Sequence, residues 1–314
     1  MWAFLLQRAA GLPLAAVAVT ILTFSLMHLM PGEPARLIAR GRFGEQVTEA
    51  EIQRVRRQQR LDQCLVVQYG HWLKRLVQGD LGRSIETGRP VSEEIASRWP
   101  DTLMLALSAL LISIAIGLPI GALCGARKGS IGDSAGATAG IVGVSLPNFW
   151  LALLLILGLD LWLGWIQPHG RSGSLVLSAL TLGTGMAALT LRITRSRMAT
   201  VMQQEYIRMA RARGLSEWTV VGKHALKNTL IPVVTVLGLQ FGRLLEGAVI
   251  VETIFGRPGI GRLLVDGIFS RDFPVVQGCV LSIAGAFIGV NFLVDIIYSW
   301  LDPRIHYGRK SSYA

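Results

Sequence analysis

Two groups of residues in this chain carry side chains that are costly where they stand or suited to gripping something. Arg243 and Glu246 lie one helical turn apart inside the apolar run from Leu230 to Val251. A charge at mid-membrane depth costs about 2.5–3.5 kcal/mol on insertion scales. Such residues either suture two helices or line a polar path through them. Glu252 near the outer end of the same run, Asp295 in the last run and Asp160 near a helix end pose the same question less sharply. The second group is the stretch Glu205, Tyr206, Ile207, Arg208, Met209, Ala210, Arg211, Ala212, Arg213, Gly214 and Leu215, basic and helix-prone between two apolar runs. Small side chains there let another surface approach the helix backbone, glycine ends the helix, and the arginines supply polar grip. That combination suits the docking of a soluble partner.

Catalytic patterns are missing. No glycine-rich phosphate cradle ending in Gly-Lys-Ser/Thr is present, so the chain is not expected to hydrolyse ATP. There is no His-Glu-x-x-His, and Gly143-Val144-Ser145 runs into Leu146-Pro147 rather than completing a nucleophile elbow. His28, His71, His169, His224 and His306 are scattered, and Cys64, Cys124 and Cys279 show neither metal-ligand spacing nor a disulfide framework. No metal or cofactor is therefore expected on this chain.

The elements that must hold these groups are membrane helices. Apolar residues make up 51% of the 314 positions, and the mean hydropathy is +0.48. A helix needs roughly 20 apolar residues to cross the hydrocarbon core. Six runs meet that need, near Ala9 to Met30, Thr102 to Ala126, Ala135 to Trp165, Leu175 to Ile193, Leu230 to Val251 and Val275 to Leu301. In lipid every amide must pair within its own segment, so these are helices and the fold class is all-α integral membrane. The first run continues through Phe24 and Leu29, too far for the core of a cleaved signal peptide. The net charge of +11 is assigned to cationic loops that fix topology rather than to nucleic acid. With both termini inside, the cytoplasmic side receives Arg8, Arg127, Lys128, Arg192, Arg195, Arg197, Arg208, Arg211, Arg213, Lys223, Lys227, Arg304, Arg309 and Lys310, while the short outer loops receive only Arg171, Arg257, Arg262 and Arg271. The arginine-rich segment from Pro31 to Pro100 is long enough to escape this rule.

That segment reads as structured. Thr48 and Glu51 form a capping box ahead of Ile52 and Val55, and Tyr69, Trp72, Leu73 and Leu76 describe a helix lying on the membrane or packed on the bundle. Gly79-Asp80-Leu81-Gly82 reads as a turn, and Val91, Ile95 and Trp99 as a short helical stretch that Pro100 ends. Within the runs, glycines recur four residues apart at Gly117, Gly121 and Gly125; Gly132, Gly136 and Gly140; Gly238 and Gly242; and Gly285 and Gly289. Such spacing lets helices pack backbone to backbone, mostly inside the bundle, with one pair left for a second subunit. Pro119 and Pro147 each remove a helical hydrogen bond, which gives either a bend beside a transport path or a static kink.

The loop around Ala210-Arg211-Ala212, with Gly214 and then Leu230-Ile231-Pro232, resembles the signature of binding-protein-dependent ABC transporter permeases. Further blocks narrow the resemblance to the B-type permease of the dipeptide, oligopeptide and nickel uptake group. They are Pro31-Gly32-Glu33-Pro34-Ala35, Leu61-Asp62-Gln63, Gly79 to Ser84, Pro147-Asn148-Phe149-Trp150-Leu151, Glu252 to Phe255 with Pro258 to Arg262, Arg271 to Gln277, and Leu301 to Ile305. The likeness runs almost end to end. Cys64 and Asp101 depart from a usual proline and alanine, and Ser178 from a proline before the fourth run.

The resemblance implies a type I ABC importer permease fold with six transmembrane helices and a long extracytoplasmic segment between the first two. It divides the chain into residues 1–100, a permease core at 101–302 and a cytoplasmic tail at 303–314. It implies a bacterial inner-membrane protein paired with a C-type permease, two cytoplasmic ATPase subunits that use ATP and Mg, and an extracytoplasmic solute-binding protein. Glu205, Tyr206, Ala210, Arg211, Ala212, Arg213 and Gly214 are the expected ATPase-coupling residues, and Pro147, Asn148, Phe149, Trp150, Arg243 and Glu246 the expected path residues. The expected cargo is a di- or oligopeptide, with nickel or a metal chelate as the alternative. A proton-driven secondary transporter would want a carboxylate relay and an inverted repeat, whereas intramembrane charges are few and no repeat is visible. A receptor or scaffold would use the long outer segment and would not need the inner motif.

Overall fold

A computed structural model describes residues 2–29, 33–44, 46–58, 60–161 and 171–301. Pro31-Gly32, the end of the third run with His169, and the tail from Asp302, including Arg304, Ile305 and His306, lie outside the described residues. Apart from one isolated antiparallel bridge between Arg83 and Pro90, the regular structure among the described residues is helical. In chain order the helices are α1 (Trp2–Leu29), α2 (Pro34–Phe43), α3 (Glu49–Gln58), α4 (Leu65–Val77), α5 (Val91–Ala126), α6 (Ile131–Ser145), α7 (Asn148–Leu155), α8 (Arg171–Val201), α9 (Glu205–Ala212), α10 (Glu217–Thr219), α11 (Leu226–Ile254), α12 (Ile260–Phe269) and α13 (Phe273–Leu301). Wider π-helical turns extend α7 over Ile156–Leu161 and join α10 to α11 over Val220–Ala225.

Every predicted apolar run is helical over its described residues except at Leu146 and Pro147, which break the third. Among the described residues four helices are long and apolar enough to cross a bilayer, and α6 with α7, if counted as one span, makes a fifth, bent by 100°. The remaining run, the first, is α1, whose shorter apolar stretch is Ala10–Ser25. The bend falls at Leu146 and Pro147, both extended, as the proline at 147 leads one to expect. Pro119 lies within unbroken α5 and Pro100 does not end a helix: α5 runs through both for 36 residues. Packing on either side outweighs the hydrogen bond lost at Pro100. Val91 and Ile95 are buried against Ile260, Leu263, Val275 and Cys279. One turn from the proline, Trp99 Nε1 donates to Ser282 Oγ at 2.9 Å, and Thr102 Oγ1 accepts from the Ile260 amide at 2.9 Å.

The chain divides into two compact units, one of residues 1–6, 103–257 and 289–314, the other of residues 7–102 and 258–288. In the first, α6, α7 and α11 all pack on α8. The spacing of Gly117, Gly121 and Gly125 has a direct cause there. A Cβ added at these positions would fall 2.6, 2.6 and 2.5 Å from the carbonyl oxygens of Ala187, Leu191 and Arg195, so α5 meets α8 backbone to backbone. Gly136 likewise makes room for Cys124, and Gly238 for Val294. Gly285 and Gly289 face open space within the chain.

In the second unit, α2 and α3 bury Ala35, Ile38, Ala39, Ile52 and Val55 together. The capping box forms: Thr48 N and Oγ1 both donate to Glu51 Oε2 at 2.8 Å. The amphipathic helix α4 is packed rather than free, with Tyr69 and Trp72 against Phe24 of α1 and the Tyr69 hydroxyl 2.8 Å from Thr20 Oγ1. The Gly79 to Gly82 turn is present, with both glycines at positive φ. Asp272 pins the loop that follows. Its Oδ2 accepts from Ser84 Oγ at 2.5 Å and from the amides of Ile85 and Glu86 at 2.9 and 3.2 Å, and its Oδ1 from the Val275 amide at 3.3 Å.

Candidate functional site

The basic stretch after α8 forms a short helix with a defined end. The Gly214 amide donates to Arg211 O and the Leu215 amide to Ala210 O, with Gly214 at φ 78, the glycine-ended cap that satisfies the last carbonyls. Ile207 and Ala210 of α9 are buried against Met198, Met202, Val220 and Ala225, with Ala122 of α5 completing the cluster. Asn228 Nδ2 donates to the Tyr206 hydroxyl at 2.7 Å, and Arg211 reaches Glu217 at 2.7 Å. α9 is thus a knob held where α8 ends and α11 begins.

Ala210 falls on the same helical face as buried Ile207, so its small side chain serves the seat of α9 on the bundle, and Ala212 is the small residue on the outward face. The outward face consists of Glu205, Tyr206, Arg208, Met209, Arg211, Ala212, Arg213 and Gly214. Beside it stands Trp218, 78% exposed. A tryptophan four residues after Gly214, next to a basic motif, was the available signal.

The second site is a cleft of about 340 Å³ at the α6–α7 bend, lined by Asn148, Gln240, Arg243 and Glu246 among apolar neighbours from α6, α8 and α11. It brings together three of the six expected path residues. Pro147, Phe149 and Trp150 are exposed and do not line it. The break at Leu146 and Pro147 starts α7 anew at Asn148, so the positive end of a helix dipole adjoins the cleft. Gly185 gives the Asn148 amide its room: a Cβ there would lie 3.0 Å from Asn148 Oδ1. Arg243 and Glu246 are both exposed and do not pair; among the described residues neither side chain has a hydrogen-bonding or ionic partner. Gln240, one turn before Arg243, is 5% exposed. A polar residue at helical spacing from two charges inside an apolar run was legible and overlooked.

Other charged groups sit in closed surroundings. Asp133 accepts from Arg195 Nε and Nη2 at 2.5 and 2.9 Å and from the Gly129 amide at 3.0 Å, tying α6 to α8. The Ser130-x-x-Asp133 spacing, a capping pattern, was the available clue, and Ser130 Oγ does accept from the Asp133 amide. Glu252 and Arg257 are buried. Among the described residues no group of three or more His, Cys, Asp or Glu side chains is placed to hold a metal ion.

Comparison with known proteins places this arrangement. Residues 117–307 match the family of binding-protein-dependent transport system inner membrane components, and residues 1–106 match the N-terminal region of such membrane components. A putative peptide transport system permease protein of Brucella suis is 43% identical over 98% of this chain and 100% of its own length. The glutathione transport system permease protein GsiC of Salmonella typhimurium is 42% identical over 97% of this chain and 99% of its own. Among solved structures, an amino acid ABC transporter determined with histidines superposes with a TM-score of 0.53 over 68% of this chain and 95% of that chain; at 18% identity this likeness speaks to fold alone. With both halves matched in order and relatives of this identity spanning nearly their whole lengths, the chain belongs to the binding-protein-dependent transport system inner membrane components, the membrane permeases of ABC importers.

Proposed function

We propose that this chain is one of two permease subunits of an ATP-driven peptide importer in a bacterial inner membrane, with both termini cytoplasmic. A C-type permease completes the path, two ATPase subunits binding ATP and Mg drive it, and an extracytoplasmic binding protein delivers the cargo. The observation that carries the peptide assignment is the naming of both nearly full-length relatives as peptide or glutathione permeases, glutathione being itself a tripeptide.

In this reading α9 is the coupling knob. It is seated by Ile207 and Ala210, capped by Gly214, and presents Tyr206, Met209, Ala212, Arg213 and Trp218 outward. A nucleotide-dependent pull on the knob acts through α8 and α11, which flank it and also wall the cleft. An ATPase shifts the conformational equilibrium only by binding the two states unequally, so the contact must change with nucleotide. Gly214 has open space around it, so Gly214→Val acts through the strain of a β-branched residue at positive φ, about 1–2 kcal/mol, rather than through a clash. In proteoliposomes carrying the companion subunits, this variant is expected to insert and to hydrolyse ATP while peptide uptake falls about tenfold or more. Normal ATP-driven uptake would overturn the coupling role.

A further inference from the structure

We propose that the cleft at the α6–α7 bend reads the free ends of a short peptide: Arg243 takes the carboxylate, Glu246 the ammonium, and the Gln240 amide one hydrogen bond of the cargo. The inference rests on the peptide-importer reading and adds which chemistry of the cargo the permease itself recognises.

Gln240 provides the observation independent of charge. Its Nε2 donates to Thr190 Oγ1 at 3.2 Å, and Thr190 in turn shares a hydroxyl bond of 2.8 Å with Ser113, a buried polar chain crossing from α11 through α8 to α5. Its Oε1 is buried and has no hydrogen-bond partner among the described residues. Exchanging the two amide atoms would leave the nitrogen orphaned instead, so Gln240 holds one unmet hydrogen-bonding group in either assignment, an acceptor in one and a donor in the other. Buried polar atoms are paired in the great majority of cases. An unpaired amide on the wall of a cleft that also holds two unpaired charges is a set of groups awaiting a ligand.

The ligand's chemistry follows from what is left unmet. Arg243 offers a bidentate donor fork suited to a carboxylate, and the start of α7 at Asn148 adds its positive end on the same cleft. Glu246, three residues on and about 4.5 Å farther along the axis, offers an acceptor for an ammonium group. A zwitterion satisfies both charges at once. A peptide capped at either end leaves one of them facing a neutral group, and discrimination arises from that unmet charge. The cleft volume of about 340 Å³ is at the small end of ligand sites, which favours short peptides.

The test uses the full membrane complex of both permeases and both ATPases, nucleotide-free and without the binding protein, so that only the permeases select. Radiolabelled dialanine is bound and displaced with unlabelled dialanine, its N-acetyl form and its C-terminal amide. Wild type should prefer the free dipeptide over either capped form by about tenfold or more. Arg243→Gln should abolish the preference over the amide while keeping that over the N-acetyl form, and Glu246→Gln should do the reverse. Gln240→Leu should weaken all three alike, with the complex assembling at wild-type yield. Equal displacement by all three compounds on wild type, both charge variants weakening every compound equally, unchanged dialanine binding in Gln240→Leu, or no dialanine binding at all would each overturn the proposal. Uptake of dialanine by the full importer with its binding protein separates the two levels. Uptake present alongside any of those results sinks only the recognition of free ends; uptake absent sinks the peptide-importer reading itself.

Discussion

Asp133 with Arg195 and Arg243 with Glu246 place the same two chemistries on helices of one unit and treat them oppositely. Asp133 is 3% exposed and receives both arms of an arginine and a backbone amide. Arg243 and Glu246 stand three residues apart on one helix, exposed and unpaired, on the wall of a cleft. Both arrangements set charge beside an apolar phase at a cost. In the first the partner repays it within the fold, and the product is rigidity where α6 meets α8. In the second the fold leaves the cost standing, so the groups contribute to stability little or negatively and owe their presence to something that arrives. Local satisfaction of a charge, more than its burial or its depth, separates scaffold from site in this chain.

The strongest way to break that contrast is at Asp272, a carboxylate that accepts from four donors. Asp272→Ala strands the Ser84 hydroxyl and the amides of Ile85, Glu86 and Val275 together. A stranded buried donor costs about 1–3 kcal/mol, and with water entering to meet part of the loss the net cost is about 3 kcal/mol or more. The expected outcome is release of the loop after Gly82, read as rapid hydrogen exchange and new proteolytic cleavage between residues 83 and 90, with a large fall in thermal stability. Protection unchanged from wild type would show that a satisfied carboxylate here does not hold structure.

A smaller effect tests the contrast directly. Asp133→Asn keeps the shape and removes the charge that binds Arg195 by two bonds, and the purified complex should melt several degrees lower. Arg243→Gln, which breaks no bond among the described residues, should leave the melting temperature where it was or raise it slightly. Equal falls in the two variants would mean that the open pair is structural after all, and the distinction drawn between the sites would disappear.

The parts of this architecture that were legible in advance are those set by local chemistry. All six apolar runs proved helical, the third as two helices bent by 100°, because lipid leaves the backbone no alternative. Thr48 and Glu51 marked the start of α3, and Gly214 the end of α9, because caps depend on a few neighbouring residues. The bend at Pro147 was visible, but the same rule failed at Pro100, where contacts of Val91, Ile95 and Trp99 with residues more than 150 positions away carry the helix through. The cleft shows the same split. Arg243, Glu246 and Asn148 were conspicuous as types in an apolar setting, and the spacing of Gln240 was visible too, but its half-met amide follows from Thr190 and Ser113 on other helices. The inward turn of Ala210 likewise depends on where Met198 and Val220 lie, not on the motif that contains it.

The mildest test concerns a charge that is satisfied but stands in water. Glu51 accepts from the Thr48 amide and hydroxyl, and these bonds, the amide first and the hydroxyl second, hold its carboxyl below the usual carboxylate range. A folded pKa below the unfolded one means that the stability it adds is fully present above the unfolded value, about 4.3, and is lost as pH falls through the lower folded value. Hydrogen-exchange protection of the first amides of α3, corrected for intrinsic rates, should therefore be flat from neutral pH down to about 5 and decline below about 4. In Glu51→Gln it should start slightly lower and stay flat, since the glutamine has no proton to gain in that range. The effect should be confined to the start of α3, because water takes over the freed donors at once. A decline that reached Ile52 and Val55 and opened the α2–α3 core would show that exposed satisfaction also carries structure, and would place the boundary between scaffold and site elsewhere than in the partnering of charge.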